Sequence, residues 1–351
     1  MVPSSTVFAR NCGPIDQPTI PSTGAAMTIT PTAFTSSIYR HLSKILRPLL
    51  FILWASFCSE LTADNPAVGV QWMGSIETPL LDESSGLAAS SHHANVLWSI
   101  NDSGGKAELF ALTTEGKHLG IWPVDLPEPI DWEALTSFVV DSTAYLLIAD
   151  IGDNFAMRRS VSYTVVKEPD VRAAAPKETL QPVLTRSFSY PNGPRDSESI
   201  AVDTRRGEVL VLSKRTLPPQ LYRLPLPVLS NTLSKGQPDQ TQRAELLGPL
   251  QGFLVPDRIA ADFYDTNLAY MASPTGMSLT GDRLLVTTME HAYMFDRADL
   301  AAQPQILRLP YIGQREAITF ALGSDTRAYV SQERPDGRRH AHIFRLDIAP
   351  Q

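Results

Sequence analysis

The chain has 351 residues, with 30 lysines and arginines against 37 aspartates and glutamates, so its formal net charge is −7 at pH 7. This acidic balance argues against a nucleic-acid partner, because nucleic-acid-binding surfaces are basic. Only two cysteines occur, Cys12 and Cys58, and both precede residue 64. Disulfides and thiolate metal sites are therefore excluded from the rest of the chain.

Residues 1–63 are interpreted as a leader. The basic stretch SIYRHLSKILRP runs directly into the apolar segment LLFILWASF, an order typical of a secretory signal. That segment is too short to span a bilayer as a helix. We expect cleavage near Cys58 or Ala63, export to the periplasm or the extracellular space, and no membrane attachment afterwards. The alternatives are an uncleaved membrane anchor, an acylated Cys58, and a start at Met27 instead of Met1.

From residue 64 onward, short apolar segments bounded by Gly, Pro, Asp and Asn predict β-strands. Five of them align as first strands of a repeat: ESSGLAAS, DWEALTSF, DSESIAVD, PTGMSLTG and QREAITFA. A second and a third strand follow each, and a fourth strand follows in four cases. Four antiparallel strands repeated around an axis predict an all-β propeller. We expect five blades in a single domain over residues 64–351.

The ends of this domain predict how the ring closes. After HIFRLDI only three residues remain, so the fifth blade has no fourth strand of its own. One extra strand, VGVQWMGSI (Val68 to Ile76), precedes the first repeat. It would complete the last blade and remove two open sheet edges. The alternative is a sixth blade within 251–276, but that stretch is too short for four strands, and we expect a long loop there.

Acidic residues recur at fixed places relative to the central apolar residue of each first strand (Leu87, Leu135, Ile200, Leu279 and Ile318). A first column stands two residues before it: Ser85, Glu133, Glu198, Met277 and Glu316. Four residues before it stand Glu83, Asp131, Asp196, Thr275 and Gln314. A second column follows it by fifteen residues: Asp102, Asp150, Arg215, Met294 and Glu333. In an up-and-down hairpin these places share one end of the sheet, so the acids should gather at one mouth of the central channel.

Converging carboxylates repel one another and raise each other's pKa, a cost that a bound cation removes. Oxygen ligands without cysteine or histidine favour calcium over magnesium. We therefore predict a calcium site among the following residues: Asp102, Asp131, Glu133, Asp150, Asp196, Glu198 and Glu316. In the alternative interpretation the acids, like those of NDSGG and DIGDN, hold backbone amides and fix turns.

Basic residues are expected near the same mouth: Arg158, Arg195, Lys214, Arg215 and Arg315. Together with a metal they would suit a phosphate or carboxylate ligand. In the alternative interpretation each of them pairs with a neighbouring acid. The sequence contains no G-x-S-x-G nucleophile elbow, P-loop or dinucleotide fingerprint.

Several motifs in order resemble a group of secreted bacterial propeller proteins without an assigned reaction: ESSGLA, LWSINDSG, DWEAL, LIADIGDN, YPNGPRDSESI and TGMSLTGDRLLV. The repeated D-x-E-apolar motif resembles, more loosely, the phytase-like propellers ("esterase-like activity of phytase"). That second resemblance implies a calcium-dependent hydrolase of phosphate or carboxylic esters, with Asp131, Glu133, Asp196, Glu198 and Glu316 at the mouth. The fourth blade departs from the pattern, since it lacks both acids. The alternative function is a monomeric, non-catalytic propeller that binds a small molecule or a protein at this mouth, and the sequence leaves the choice open.

Overall fold

The structure, a computed structural model, describes residues 68–172, 178–229, 241–254, 272–310, 314–333 and 341–349. The proposed leader lies outside these residues, as does 255–271, the larger part of the stretch considered for a sixth blade. None of the described residues forms a helix that is long and apolar enough to cross a membrane.

The described residues form five sheets, antiparallel except for the short strand β13, which confirms the all-β prediction. The strands in chain order are β1 (Gly69–Ser75), β2 (Ser84–Ala89), β3 (Val96–Asn101), β4 (Glu108–Thr113), β5 (His118–Pro123), β6 (Trp132–Val140), β7 (Thr143–Asp150), β8 (Val161–Lys167), β9 (Pro182–Ser189), β10 (Ser197–Asp203), β11 (Glu208–Ser213), β12 (Gln220–Pro225), β13 (Gln242–Arg243), β14 (Glu245–Pro249), β15 (Gly276–Thr280), β16 (Arg283–Thr287), β17 (His291–Asp296), β18 (Gln305–Arg308), β19 (Arg315–Phe320), β20 (Arg327–Gln332) and β21 (His342–Asp347).

The five sheets close into a ring of five blades. The first strands β2, β6, β10, β15 and β19 pack on one another in this order, and β19 packs on β2. Strand β1 pairs with β21, Gly69 opposite Asp347 and Ser75 opposite His342, and so completes the fifth blade. The predicted closure by the first strand is therefore confirmed. One detail was not predicted: β13 adds a short parallel strand to the outer edge of the second blade.

The apolar core lies between neighbouring blades, because alternate side chains of each strand face opposite sides of its sheet. Between the first two blades, Trp98 and Trp122 meet edge to face at 5.1 Å and pack with Trp132 and Leu135. Fully burying one such ring stabilises the fold by about 2–3 kcal/mol. Because neighbouring blades pack on one another in this way, their first strands surround the central channel, where the acidic residues lie.

Candidate functional site

The first strand carries a β-bulge at the same place in four of the five blades. The pairing shifts between Ser84 and Gly86, Trp132 and Ala134, Ser197 and Ser199, and Arg315 and Ala317. The residues inside the bulges are Ser85, Glu133, Glu198 and Glu316, which are four members of the first column. A bulge leaves its extra residue unpaired and re-aims that side chain. The first-column residue therefore recurs together with a β-bulge of the first strand.

The fourth blade has no bulge at this place. Its first hairpin pairs regularly from Gly276–Thr287 to Thr280–Arg283. Met277 therefore stays within the alternation of the strand and packs in the core with Leu284 and Tyr293. The fourth blade, whose first strand lacks the acids in the sequence, is therefore also the blade whose first strand pairs without a bulge.

Backbone hydrogen bonds define the second column. In four blades one amide near the end of the second strand donates to the carbonyl of the residue before the first strand: Asp102 to Glu83 at 3.1 Å, Gly152 to Asp131 at 3.2 Å, Lys214 to Asp196 at 2.8 Å, and Glu333 to Gln314 at 3.1 Å. Lys214, rather than Arg215, therefore occupies the place that Asp102 and Glu333 hold in their blades. In the second blade this place belongs to Gly152.

Three predicted ligands form a compact group. Carboxylate oxygens of Asp102, Asp131 and Glu133 all lie within 4.8 Å of one another. A Cβ at position 152 would lie 2.5 Å from Cγ of Asp131 and 2.7 Å from Cγ of Glu133. The glycine of DIGDN is needed here because any side chain would displace these two acids.

The carboxyl groups of Asp131 and Glu133 resist ionisation. Burial raises the pKa of Asp131 to about 7, helped by the charge and a hydrogen bond of Asp102, while Arg158 opposes the shift. Burial, followed by the charge of Asp102, also raises the pKa of Glu133 well above its usual range, while Lys214 opposes it. Both acids would gain from a cation that takes the place of the proton.

Two acids of the fifth blade behave in the same way. Burial raises the pKa of Glu316 to about 7, against the charge of Lys214 and with that of Asp102. Burial raises the pKa of Glu333 to about 8, assisted by Glu316 and Asp102. Asp102 thus acts on all four shifted acids. We name the five residues Asp102, Asp131, Glu133, Glu316 and Glu333 the acidic sector; they belong to the fifth, first and second blades, which are neighbours in the ring.

The remaining predicted ligands have partners of their own. Glu198 forms a buried ion pair with Lys214, and its second oxygen, Oε2, has no hydrogen-bond partner among the described residues. Asp196 Oδ2 lies 2.5 Å from Nε of Arg215. Asp150 Oδ1 lies 2.6 Å from a guanidinium nitrogen of Arg158.

The five predicted basic residues are thus found in different settings. Arg158, Lys214 and Arg215 pair with acids at the mouth. Arg195 donates to the carbonyl of Asn192 at 3.4 Å. Arg315 is fully buried and donates to the carbonyl of Met289 in the fourth blade. The structure therefore places Arg315 against the neighbouring blade.

Some acids at the mouth also hold turns. Asp153 accepts the amides of Met157 and Arg158, each at 2.8 Å, and its own amide donates to Asp196 at 2.9 Å. Asp150 accepts the amide of Ile130 at 3.1 Å. Asp150, Asp153 and Asp196 therefore shape the loops, and the charge of Asp196 also helps to raise the pKa of Asp131 in the acidic sector.

Two contributors lie outside the predicted ligand set. Glu333 belongs to the second column of the sequence. Because Asp102 and Asp150 of that column were predicted as ligands, Glu333 could have been predicted with them. Gly152 gives a weaker signal, since only the Asx-rich composition of DIGDN points to it.

No family model and no curated protein matches the chain. Similar solved structures include a PQQ-bound aldose sugar dehydrogenase from Streptomyces coelicolor, at 12% identity over 80% of this chain and 99% of that chain, with a TM-score of 0.42. A luciferin-regenerating enzyme is 10% identical over 80% of this chain and 95% of that one, with a TM-score of 0.43. A nidogen/laminin complex is 11% identical over 71% and 72%, with a TM-score of 0.33.

Proposed function

We propose that the protein binds a divalent cation, calcium in preference, through Asp102, Asp131 and Glu133, and that it hydrolyses a phosphate or carboxylic ester at this mouth. The observation that carries the proposal is the approach of three carboxylates to within 4.8 Å without an ion pair for any of them among the described residues. Repulsion between such groups is relieved by a shared cation.

The donor set favours a hard ion. It offers carboxylate oxygens alone, and calcium accepts such ligands in irregular geometry together with carbonyls and waters. The unpartnered Oε2 of buried Glu198 is a further polar atom in a first-column bulge.

A bound cation would supply positive charge to the oxygen that becomes negative when an ester is attacked. The protein's own residues would supply proton transfer. Glu316 and Glu333, whose pKa values burial raises to about 7 and about 8 in the cation-free protein, are the acids proposed to accept and release the proton. A cation on Asp102 would lower both pKa values, because the charge of Asp102 helps to raise them. Arg158 and Arg215 stand beside the mouth and would orient an anionic group.

A non-catalytic binding propeller is the second candidate. It is favoured by the turn contacts of Asp150, Asp153 and Asp196, which use these acids as structural groups. In this account a small molecule or protein binds at the mouth and no bond is broken.

The interpretation of residues 1–63 as a leader also indicates where the protein acts. We propose a monomer that acts in the periplasm or outside the cell, with attachment through an uncleaved leader as the alternative. Extracellular calcium sites often have affinities of about 10⁻⁴–10⁻³ M, so a site of modest strength would be filled there.

Calorimetric titration of chelator-treated protein with calcium and with magnesium tests the cation site. We expect one calcium ion per chain, weaker magnesium binding, and loss of calcium binding in Asp102→Asn. The matched control is Asp325→Asn, which changes an acid whose side chain is 65% exposed outside the mouth. A phosphoester and carboxylic-ester panel with and without calcium then separates the two candidates: turnover supports the hydrolase, and calcium binding without turnover supports the binding propeller.

A further inference from the structure

Three large apolar side chains are exposed at the edge of the acidic site. Ile130 is 67% exposed, Phe155 is 84% exposed and Met157 is 77% exposed. Phe155 and Met157 belong to the loop that follows β7 and therefore lie at the mouth. Ile130 immediately precedes Asp131, and its amide is bound by Asp150, which also pairs with Arg158. We name these three residues the apolar edge.

The loop that carries Phe155 and Met157 is held by hydrogen bonds within itself and to the third blade. Asp153 accepts two amides of the loop and donates its own amide to Asp196 of the third blade. Asn154 accepts a hydrogen bond from Arg215. Ala156 adopts φ +50°, a left-handed conformation that is unfavourable for a residue with a Cβ. Phe155 and Met157 are thus presented by a fixed turn, at a cost in backbone energy.

The size of the apolar edge argues for a small ligand. A stable protein–protein interface buries about 800 Å² on each partner. Three side chains offer roughly half of that at most. Apolar patches of about 300–600 Å² are the largest on a typical monomer and are often functional.

The apolar edge adjoins the cation site along the chain, since Ile130 precedes Asp131 and Phe155 follows Gly152 by three residues. Gly152 lies against Asp131 and Glu133, and Asn154 and Phe155 follow it within the same turn. We propose that the ligand of this site is an amphiphile, with a phosphate or carboxylate group held at the cation and a hydrocarbon group lying on Ile130, Phe155 and Met157. This proposal rests on the proposed function, because the head group needs the cation.

Binding of alkylphosphonates to calcium-loaded protein tests the proposal without requiring turnover. Butyl- and octylphosphonate are titrated by calorimetry below their aggregation concentrations. Each fully buried methylene contributes about a factor of four to affinity. Because the apolar edge covers only one side of a chain, we expect octylphosphonate to bind about tenfold more tightly than butylphosphonate.

The Phe155→Ser, Met157→Ser double variant should retain calcium binding and lose most of the chain-length preference. Both residues are exposed, so the variant should fold. The matched control is Val228→Ser, since Val228 is 91% exposed and follows β12 at the opposite end of a blade. It should keep the preference.

Two results would overturn the amphiphile and leave the cation site standing: equal affinities for both phosphonates in the parent protein, or an unchanged preference in the double variant. Absence of calcium binding by the parent protein would overturn the proposed function, and the amphiphile with it.

Discussion

In the third blade, the buried carboxylate of Glu198 faces the buried ammonium of Lys214, whereas in the fifth, first and second blades carboxylates face one another. The two arrangements use equivalent places of the repeat. Lys214 occupies, by its backbone hydrogen bond, the place of Asp102 and Glu333. One blade thus neutralises its acid with the chain's own cation. The charge of Lys214 only partly offsets the raised pKa values of Glu133, Glu316 and Glu333 in the other blades.

The largest effect should follow from removing the internal cation. Lys214→Met leaves Glu198 as an unpaired buried charge, which typically costs about 3–5 kcal/mol of unfolding free energy. Urea unfolding at neutral pH measures the loss. The control is the double variant Lys214→Met, Glu198→Gln, which removes both charges and should recover most of the stability. Equal losses in the single and double variants would mean that Lys214 stabilises the fold through contacts other than its ion pair with Glu198, such as its charge on Glu133, Glu316 and Glu333.

The next largest effect concerns pH. In chelated protein the folded state holds protons on Asp131, Glu316 and Glu333 that the unfolded chain has already released, because their pKa values are raised. Stability should therefore be full below the ordinary carboxyl range and should fall as pH rises through about 7 to 8. For Glu316, which is fully buried, the loss is on the order of 3 kcal/mol; for Asp131, which is half-buried, solvent screening makes it smaller.

Thermal unfolding from about pH 5 to about pH 8, with chelator and with calcium, measures this slope. Calcium should flatten it, because the ion stabilises the ionised acids of the folded state alone. If the slope of stability against pH were the same with chelator and with calcium, the raised pKa values would be unrelated to cation binding.

A smaller effect on stability, but a selective one on binding, should follow from Gly152→Ala. The added Cβ meets side-chain atoms of Asp131 and Glu133, which must move apart. We expect a loss of about 1–2 kcal/mol in stability and at least about a tenfold loss in calcium affinity, which is about 1.4 kcal/mol. Gly193→Ala is a control for glycine replacement in a mouth loop with open space around its Cβ, although its φ of +95° adds backbone strain. Calcium titration of both variants decides: unchanged affinity in Gly152→Ala would remove Asp131 and Glu133 from the site.

The architecture could be predicted from the sequence because each step rests on local patterns: alternating apolar strands, turn residues, and a leftover strand at the start that matches a missing one at the end. The convergence of Asp102 with Asp131 and Glu133 follows from the same repeat. The bulges could not be predicted, since Ser85 and Glu198 give no signal that separates them from paired residues such as Ser84. The leader remains a prediction, since it lies outside the described residues.

The second column was located only approximately, because its distance from the first depends on hairpin length. Ser84 pairs with Asn101, Trp132 with Asp150 and Ser197 with Ser213, which are separations of 17, 18 and 16 residues. A constant offset therefore selects Arg215, whereas hydrogen bonding selects Lys214. The register of a strand is decided by its pairing partner, which sequence spacing reflects only indirectly.

The smallest predicted effect distinguishes Arg215 from the adjacent Lys214. The side chain of Arg215 is 37% exposed, and it pairs with Asp196 where solvent screens the interaction. Arg215→Gln should therefore cost about 1 kcal/mol or less, and the loss should shrink further in high salt. Because Arg215 lowers the pKa of Glu316, the variant should also raise that pKa slightly and steepen the fall of stability near neutral pH. Urea unfolding of Arg215→Gln at low and high salt, beside Lys214→Met, makes the comparison direct. If Arg215→Gln were the more damaging of the two, Arg215 would be the cation on which the third blade depends, and the contrast between a self-neutralised blade and the acidic sector would have to be redrawn around Asp196.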